Sequence, residues 1–176
     1  MLRVLLQSLP KDFPCGIMIV QHIAKGFVES FAKWLCEGAR LPVLLAENGM
    51  EIHPSTVYIA PHDLHMKVMP GARISLVDGL PFEGNKPSGN VLFESVAEVY
   101  GPRAIGVILT GMGTDGAKGL KKLKTASGKV IAQDERTSTI FGMPKAAIDL
   151  GIVDSILPLE EIGPYLVRSI NRSNFV

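Results

Sequence analysis

The chain has 176 residues, of which 47% are apolar and 20% charged. This composition excludes disordered and fibrous proteins, and the length fits a globular protein of about one domain. Eighteen basic residues against seventeen acidic ones give a net charge of +1, so no overall field draws the chain to nucleic acid. The apolar runs are far shorter than the ~20 residues of a membrane span, and no signal peptide is recognisable. We therefore expect a cytoplasmic protein that neither binds nucleic acid nor inserts into a membrane.

The first ten residues predict an amphipathic helix that starts without a cap. Four leucines recur at helical spacing, and a proline then ends the pattern: Leu2, Leu5, Leu6, Leu9 and Pro10. Neither a strand nor a capping side chain precedes them. A helix that enters at the first residue suggests that the chain begins inside a structural unit.

The next segments predict a buried strand followed by a helix. Residues 15–20 are a short continuous apolar run, which is typical of a strand covered on both faces. Apolar side chains then recur at helical spacing up to Gly38. We expect the aromatic ones to pack in the core rather than to bind a cofactor: Phe27, Phe31 and Trp34.

The middle of the chain predicts a change to antiparallel structure. Residues 42–77 contain short β-like pieces separated by turns rich in Gly, Pro, Asn and Asp. We therefore expect an antiparallel β excursion over about residues 42–77. A turn-rich stretch follows, after which Ser88 or Asn90 can cap a helix over residues 91–100.

The final third alternates strands and helices. The pattern predicts strands over 104–110, 129–133 and 152–157 and helices over 116–126, 144–150 and 159–170. Such alternation favours right-handed βαβ crossovers. The expected fold is α/β, a doubly wound and mainly parallel sheet with helices on both faces, in a single domain over residues 1–176.

Ligands of an open parallel sheet bind beyond the carboxyl ends of its strands, so the residues that follow three predicted strands are the candidates for chemistry. They are Gln21-His22, the turn over residues 111–116, and residues 133–139. His22 can titrate near neutral pH as a general base, although a structural role is also open to it. In the glycine-rich turn, amide N–H groups converge at a helix N-terminus beside Asp115, an arrangement that supports an oxyanion or a phosphate.

Asp115 weakens the phosphate interpretation of this turn. The spacing Gly111-x-Gly113-x-x-Gly116 fits a dinucleotide loop, but it puts a carboxylate beside the anion without a compensating lysine. Asp115 and His22 follow different strands of the predicted sheet, so the aspartate can instead orient the histidine. This is the role of the acid in a catalytic triad of nucleophile, base and acid. A nucleotide-binding protein is left as a minor alternative.

Five motifs occur together in the order and spacing of a known family. They are Gln21-His22-Ile23, Ala60-Pro61 with His65-Met66, Pro87-Ser88 with Leu92-Phe93, Leu109-Thr110-Gly111-Met112-Gly113-Thr114-Asp115-Gly116-Ala117, and Gln133-Asp134 with Phe141-Gly142-Met143-Pro144-Lys145-Ala146-Ala147-Ile148. In these motifs the chain resembles, over essentially its whole length, the catalytic domain of the chemotaxis protein-glutamate methylesterase family.

The resemblance implies a reaction and a set of site residues. His22 matches the family's catalytic base, Asp115 its orienting carboxylate, and the backbone N–H of Met112 an oxyanion-hole donor. The family hydrolyses glutamate γ-methyl esters on methyl-accepting chemotaxis receptors and releases methanol, and some members also deamidate glutamines there. The resemblance implies neither a metal nor an organic cofactor.

The family's nucleophile is a serine in a Gly-x-Ser-Thr-Gly-Gly turn, just before the helix that begins here near Leu2. These 176 residues contain no such turn. We therefore expect a domain truncated at its amino end, a few residues short of the serine and inactive without it. The chain also lacks the receiver domain that usually precedes this module, so a receiver domain on another polypeptide is an expected partner.

The other nucleophilic side chains fit less well. Cys15 precedes its strand while His22 follows it, so they should be about 20 Å apart. Cys36 lies on a predicted helix that runs away from His22, about 15 Å beyond the start of that helix. We expect both cysteines to be buried thiols. Ser88 is better explained as a turn or cap residue. Two hydroxyls on the correct side of the sheet have no activating partner in the sequence: Ser138 and Thr139.

A non-catalytic receptor- or protein-binding module of the same fold is the main alternative function. It would use a lysine-rich helix to contact acidic receptor helices, through Lys118, Lys121, Lys122 and Lys124. Lysines on a helix more often form only a solvated face.

Overall fold

A computed structural model describes residues 1–172, which form six α-helices and eight β-strands. The helices are α1 (Leu2–Gln7), α2 (Val28–Gly38), α3 (Gly89–Tyr100), α4 (Ala117–Thr125), α5 (Met143–Asp149) and α6 (Leu159–Arg172). The strands are β1 (Ile17–Ile19), β2 (Val43–Leu45), β3 (Val57–Ile59), β4 (His65–Met69), β5 (Arg73–Val77), β6 (Ile105–Ile108), β7 (Lys129–Gln133) and β8 (Ser155–Leu157). None of the helices in this part of the chain combines the length and apolar content needed to cross a bilayer.

Six of the described strands form two parallel, three-stranded sheets. The first has the order β1-β3-β2, with Tyr58 of β3 between Met18 of β1 and Leu44 of β2. The second has the order β6-β7-β8, with Ile131 of β7 between Val107 of β6 and Ser155 of β8. Since parallel neighbours need a crossover connection, helices separate most of these strands along the chain.

Among the strands of residues 1–172, β4 and β5 form the antiparallel pair, in which Val68 lies opposite Ile74. β2 and β3 are instead parallel members of the first sheet, so the predicted antiparallel excursion over residues 42–77 is wrong for its first half. Short strands between Gly- and Pro-rich turns look alike in sequence whether they pair with a neighbour or with a distant strand.

Two clusters of buried apolar side chains lie on opposite faces of the sheets. Tyr58 and Val130 belong to the cluster that packs against α3 and α4, whereas the adjacent residues Ile59 and Ile131 belong to the cluster with α1, α2 and α6. Because successive side chains of a strand point to opposite faces, each sheet contributes side chains to both clusters, and helices flank the sheets. The predicted α/β fold is thereby confirmed.

The buried face of α2 differs from the prediction. Phe27 and Trp34, expected in the core, are 61% and 45% exposed. The helix begins only at Val28, and its buried residues are Val28, Ala32 and Leu35. Trp34 instead stacks on Phe31 and lies 5.0 Å from the Arg3 guanidinium, in a cation–π contact on the surface.

Both cysteines in the described chain are free thiols, in two different environments. Cys15 is half-buried, and burial raises the pKa of its thiol. The prediction of a buried thiol is wrong for Cys36, which is exposed. It lies on the side of α2 away from the core, next in sequence to the fully buried Leu35.

Candidate active site

The fold brings together the two side chains that the sequence analysis proposes as base and orienting acid. His22 lies in the loop after β1, and Asp115 lies in the turn between β6 and α4. They are 93 residues apart in sequence, yet His22 Nε2 lies 2.9 Å from Asp115 Oδ2. The imidazole is 33% exposed and the carboxylate only 2%. The arrangement is a buried carboxylate that orients a solvent-accessible ring.

The N-terminus of α3 surrounds the Asp115 carboxylate with hydrogen-bond donors. The Ser88 hydroxyl lies 2.6 Å from Oδ1 and the Asn90 N–H donates to the same oxygen at 3.1 Å. The Gly89 N–H donates to Oδ2 at 2.6 Å, beside the contact from His22. Each carboxylate oxygen therefore has two partners, and the positive end of the helix dipole adds to their effect.

These contacts keep Asp115 ionised and thereby define the state of the His22 ring. Burial raises the pKa of Asp115, but hydrogen bonds from His22, Ser88, Gly89 and Asn90 outweigh burial and hold the pKa below its ordinary value. An ionised carboxylate only accepts hydrogen bonds, so His22 Nε2 carries the proton of the neutral ring. Nδ1 then has the free lone pair, and within residues 1–172 it has no hydrogen-bond partner. Nδ1 is therefore the nitrogen that can accept a proton.

The turn that carries Asp115 also presents a free backbone donor. Gly113 and Gly116 have φ values of 88° and 91°, in the left-handed region that glycine favours. The Gly111 N–H is used by the Ile140 carbonyl at 3.0 Å, but the Met112 N–H has no acceptor in the described part of the chain. Met112 as a whole is 78% exposed, so the turn is open to solvent at this residue.

A buried glutamine, the first of the candidate residues 133–139, fixes the backbone before this turn. Gln133, at the end of β7, is fully buried, and its Oε1 accepts from the Thr110 N–H at 2.9 Å. Its Nε2 donates to the Thr137 carbonyl at 2.8 Å and lies 3.5 Å from Met1 Sδ. Gln133 thus joins the turn, the loop after β7 and the start of α1 at the carboxyl edge of the sheet.

The remaining candidate residues lie outside this arrangement. The Ser138 hydroxyl donates to the Asp134 carbonyl at 2.7 Å, so it has a structural partner. Most lysines of α4 are engaged in ion pairs, namely Lys118 with Glu83, Lys122 with Glu94 and Lys124 with Asp154. No group of three or more His, Cys, Asp or Glu side chains within residues 1–172 could hold a metal ion.

Ser88 makes two contacts, of which only the helix cap could be predicted from the sequence. It is the predicted cap of α3, since its side chain accepts from the Asn90 N–H at 3.1 Å. Its second contact, to Asp115, joins residues 27 positions apart and exists only because α3 packs beside the turn. A cap side chain indicates where a helix begins, but it does not indicate which carboxylate lies there.

Comparison with known proteins decides the family. The profile of the family described as CheB methylesterase matches residues 1–166. The chain belongs to the CheB methylesterase family. This assignment confirms the resemblance that the five sequence motifs carry.

Individual CheB-type proteins show the same likeness. The protein-glutamate methylesterase FrzG of Myxococcus xanthus is 45% identical over 93% of this chain and 49% of its own length. The protein-glutamate methylesterase/protein-glutamine glutaminase of the group 3 operon of Rhizobium meliloti is 45% identical over 92% of this chain and 46% of its own. The chain therefore spans about half the length of the curated relatives it matches.

A solved CheB structure also has the same fold. The crystal structure of the Thermotoga maritima CheB methylesterase catalytic domain superposes with a TM-score of 0.92 at 38% sequence identity. The match covers 96% of this chain and 90% of that one. The described elements are thus those of a CheB catalytic domain.

Proposed function

We propose that this chain is the catalytic domain of a cytoplasmic protein-glutamate methylesterase of chemotaxis. Its substrates are glutamate γ-methyl esters on chemoreceptors and its products are glutamate and methanol. The observation that carries the proposal is the 2.9 Å contact between His22 Nε2 and Asp115 Oδ2, beside the free N–H of Met112. Several similar proteins are also named glutaminases, so receptor glutamines are a second proposed substrate.

The geometry supports a definite division of roles in this reaction. His22 Nδ1 accepts the proton of a serine hydroxyl while the serine oxygen attacks the ester carbonyl carbon. Asp115 stabilises the resulting imidazolium, and the Met112 N–H donates to the oxygen that becomes negative. The carbon–methoxy bond then breaks, and the methoxy group takes the proton from His22 and leaves as methanol. Water hydrolyses the acyl-serine by the same proton transfers.

The proposed nucleophile comes from polypeptide outside these 176 residues, because they contain no Gly-x-Ser-Thr-Gly-Gly turn. The position of Met1 supports a connection at that end of the chain. Met1 Sδ lies 3.5 Å from Nε2 of Gln133, at the carboxyl edge of β7. A turn joined to Met1 would begin at the edge of the sheet where His22 and Asp115 meet. A receiver domain is the proposed regulatory partner.

Methanol release from γ-methylated receptor fragments tests this function. A polypeptide in which the serine-bearing turn precedes Met1 should release methanol, and the same polypeptide with alanine for that serine should release none. Receptor binding without methanol release by the serine-bearing form would contradict the proposal and favour a binding module. The ion pairs of Lys118, Lys122 and Lys124 weigh against such a module, because they partly neutralise the basic helix face that it would use.

A further inference from the structure

Ser88 belongs both to the α3 cap and to the environment of Asp115. Its side chain is fully buried, and its hydroxyl lies 2.6 Å from Asp115 Oδ1 and 3.1 Å from the Asn90 nitrogen. An ionised carboxylate has no proton to donate, so the hydroxyl hydrogen points to Oδ1 while a lone pair accepts from Asn90. The hydroxyl cannot rotate without losing one of these bonds.

The orientation of the Asp115 carboxylate decides whether it faces His22. The terminal torsion of an aspartate is broad, so packing alone fixes it poorly. The Gly89 N–H binds Oδ2, the same oxygen that contacts His22, and Asn90 reaches Oδ1 only at 3.1 Å. The short bond from Ser88 is therefore the main contact that holds Oδ1 on the side away from the imidazole.

We propose that Ser88 is a positioning residue, whose hydroxyl fixes the rotation of the Asp115 carboxylate so that Oδ2 receives the His22 Nε2–H. Ser88 is fully buried and its hydroxyl donates to Asp115, so it acts on the ring through that carboxylate. The inference deepens the proposed function and rests on it for its catalytic meaning. The contact itself belongs to the folded chain whichever reaction it serves.

NMR spectroscopy of the 176-residue chain tests this role without substrate. In the wild-type chain, the His22 Nε2–H should be protected from solvent exchange by Asp115. In Ser88→Ala it should exchange at least about tenfold faster, the lower end of the factor expected for one lost hydrogen bond to a charged group. The pKa of Asp115, followed through its carboxyl carbon, should rise because a bond to its ionised form is lost.

Ser95→Ala is the matched control. Ser95 lies on the same helix and is equally buried, but its hydroxyl donates to the Leu92 carbonyl and accepts from the Val68 N–H. Its removal should leave the His22 and Asp115 signals at their wild-type values. Ser88→Gly is a second test variant, because glycine is well tolerated at the N-cap position and preserves the helix. Backbone amide spectra show that each variant is folded.

Three results would overturn the inference. The first is a folded Ser88 variant that keeps the wild-type His22 and Asp115 signals, and the second is an equal change in Ser95→Ala. The third is free solvent exchange of the Ser88 hydroxyl proton in the wild-type chain, a measurement that needs no variant. Since these signals require neither substrate nor serine nucleophile, absent methanol release with intact signals would contradict only the proposed function.

Discussion

Asp115 shows how one residue can be both buried and charged in this protein. Its carboxylate is 2% exposed, and burial of an unpaired charge would cost several kcal/mol. The donors around it offset that cost: a hydroxyl, two backbone N–H groups and the imidazole. The ionised form of this one side chain therefore contributes to the stability of the folded state.

The free energy of unfolding is expected to fall in acid through Asp115. Its folded-state pKa lies below its unfolded value of about 3.9, so its contribution is fully present above that value and is lost as pH falls through the folded pKa. Asp115→Asn should remove this part of the acid dependence, measured by urea unfolding from neutral to acid pH.

Asp149→Asn is the control for this titration. Asp149 is exposed and pairs with Lys145 four residues earlier on α5, so its replacement should leave the acid dependence as in the wild type. An acid dependence that Asp115→Asn does not reduce would contradict the assigned role of the donors around the carboxylate.

The main site residues could be predicted from the sequence because each lies in the segment that follows an apolar strand. His22 and Asp115 come after β1 and β6, and the carboxyl ends of parallel strands meet at one edge of a sheet. The contacts from Ser88 and Gln133 could not be predicted in this way. They depend on where α3 and the loop after β7 pack, and neither position follows from local patterns.

The close approach of α3 and α4 fixes the distance between the donors of Asp115 and the turn that carries it. The Gly119 N–H of α4 donates to Asn90 Oδ1 of α3 at 2.8 Å. A Cβ atom on Gly119 would lie 2.5 Å from the Asn90 carbonyl oxygen and 2.8 Å from its Cα atom. A residue without a side chain is therefore needed at the crossing of the two helices.

Gly119→Ala should destabilise the chain by about 1–3 kcal/mol, because the added methyl group overpacks this crossing. Helix propensity alone predicts the opposite result, because alanine stabilises a helix interior relative to glycine. The sign of the change in stability therefore distinguishes packing from propensity. Urea unfolding measures the change, and Lys121→Ala on the exposed side of the same helix should alter stability little. An unchanged or higher stability of Gly119→Ala would refute the close-packing account.

Element positions follow from the sequence where the hydrophobic period is unambiguous. The strand predicted over residues 129–133 is β7 itself, and the helices predicted over 116–126 and 159–170 are α4 and α6 to within two residues. The strand predicted over 15–20 is shorter, since β1 covers only Ile17–Ile19. Pairing partners are the weak point, because β2 and β3 pair within the parallel sheet and local turn signals do not show this.

Strand residues of both sheets belong to both apolar clusters, so we propose that the two sheets unfold together as one domain. Leu123 of α4 is fully buried in one cluster, whereas Leu35 of α2 lies in the other. Trp34, next to Leu35, is the sole tryptophan of the chain and reports on that second layer.

Leu123→Ala should therefore lower stability by about 2–5 kcal/mol, through a cavity in the first layer. The same shift in midpoint should be seen by Trp34 fluorescence in the second layer and by far-UV circular dichroism. A Trp34 transition that stays at the wild-type midpoint while the circular dichroism transition moves would show two separate units.

The proposed mechanism requires that His22, oriented by Asp115, acts as the catalytic base. The most direct test is the rate of methanol release from γ-methylated receptor fragments. In the polypeptide that carries the serine turn before Met1, His22→Ala should lower this rate by roughly 10³-fold, the size expected for a lost general base. His53→Ala, at an exposed position in the loop before β3, should retain the wild-type rate. Release at the wild-type rate by folded His22→Ala would contradict the account.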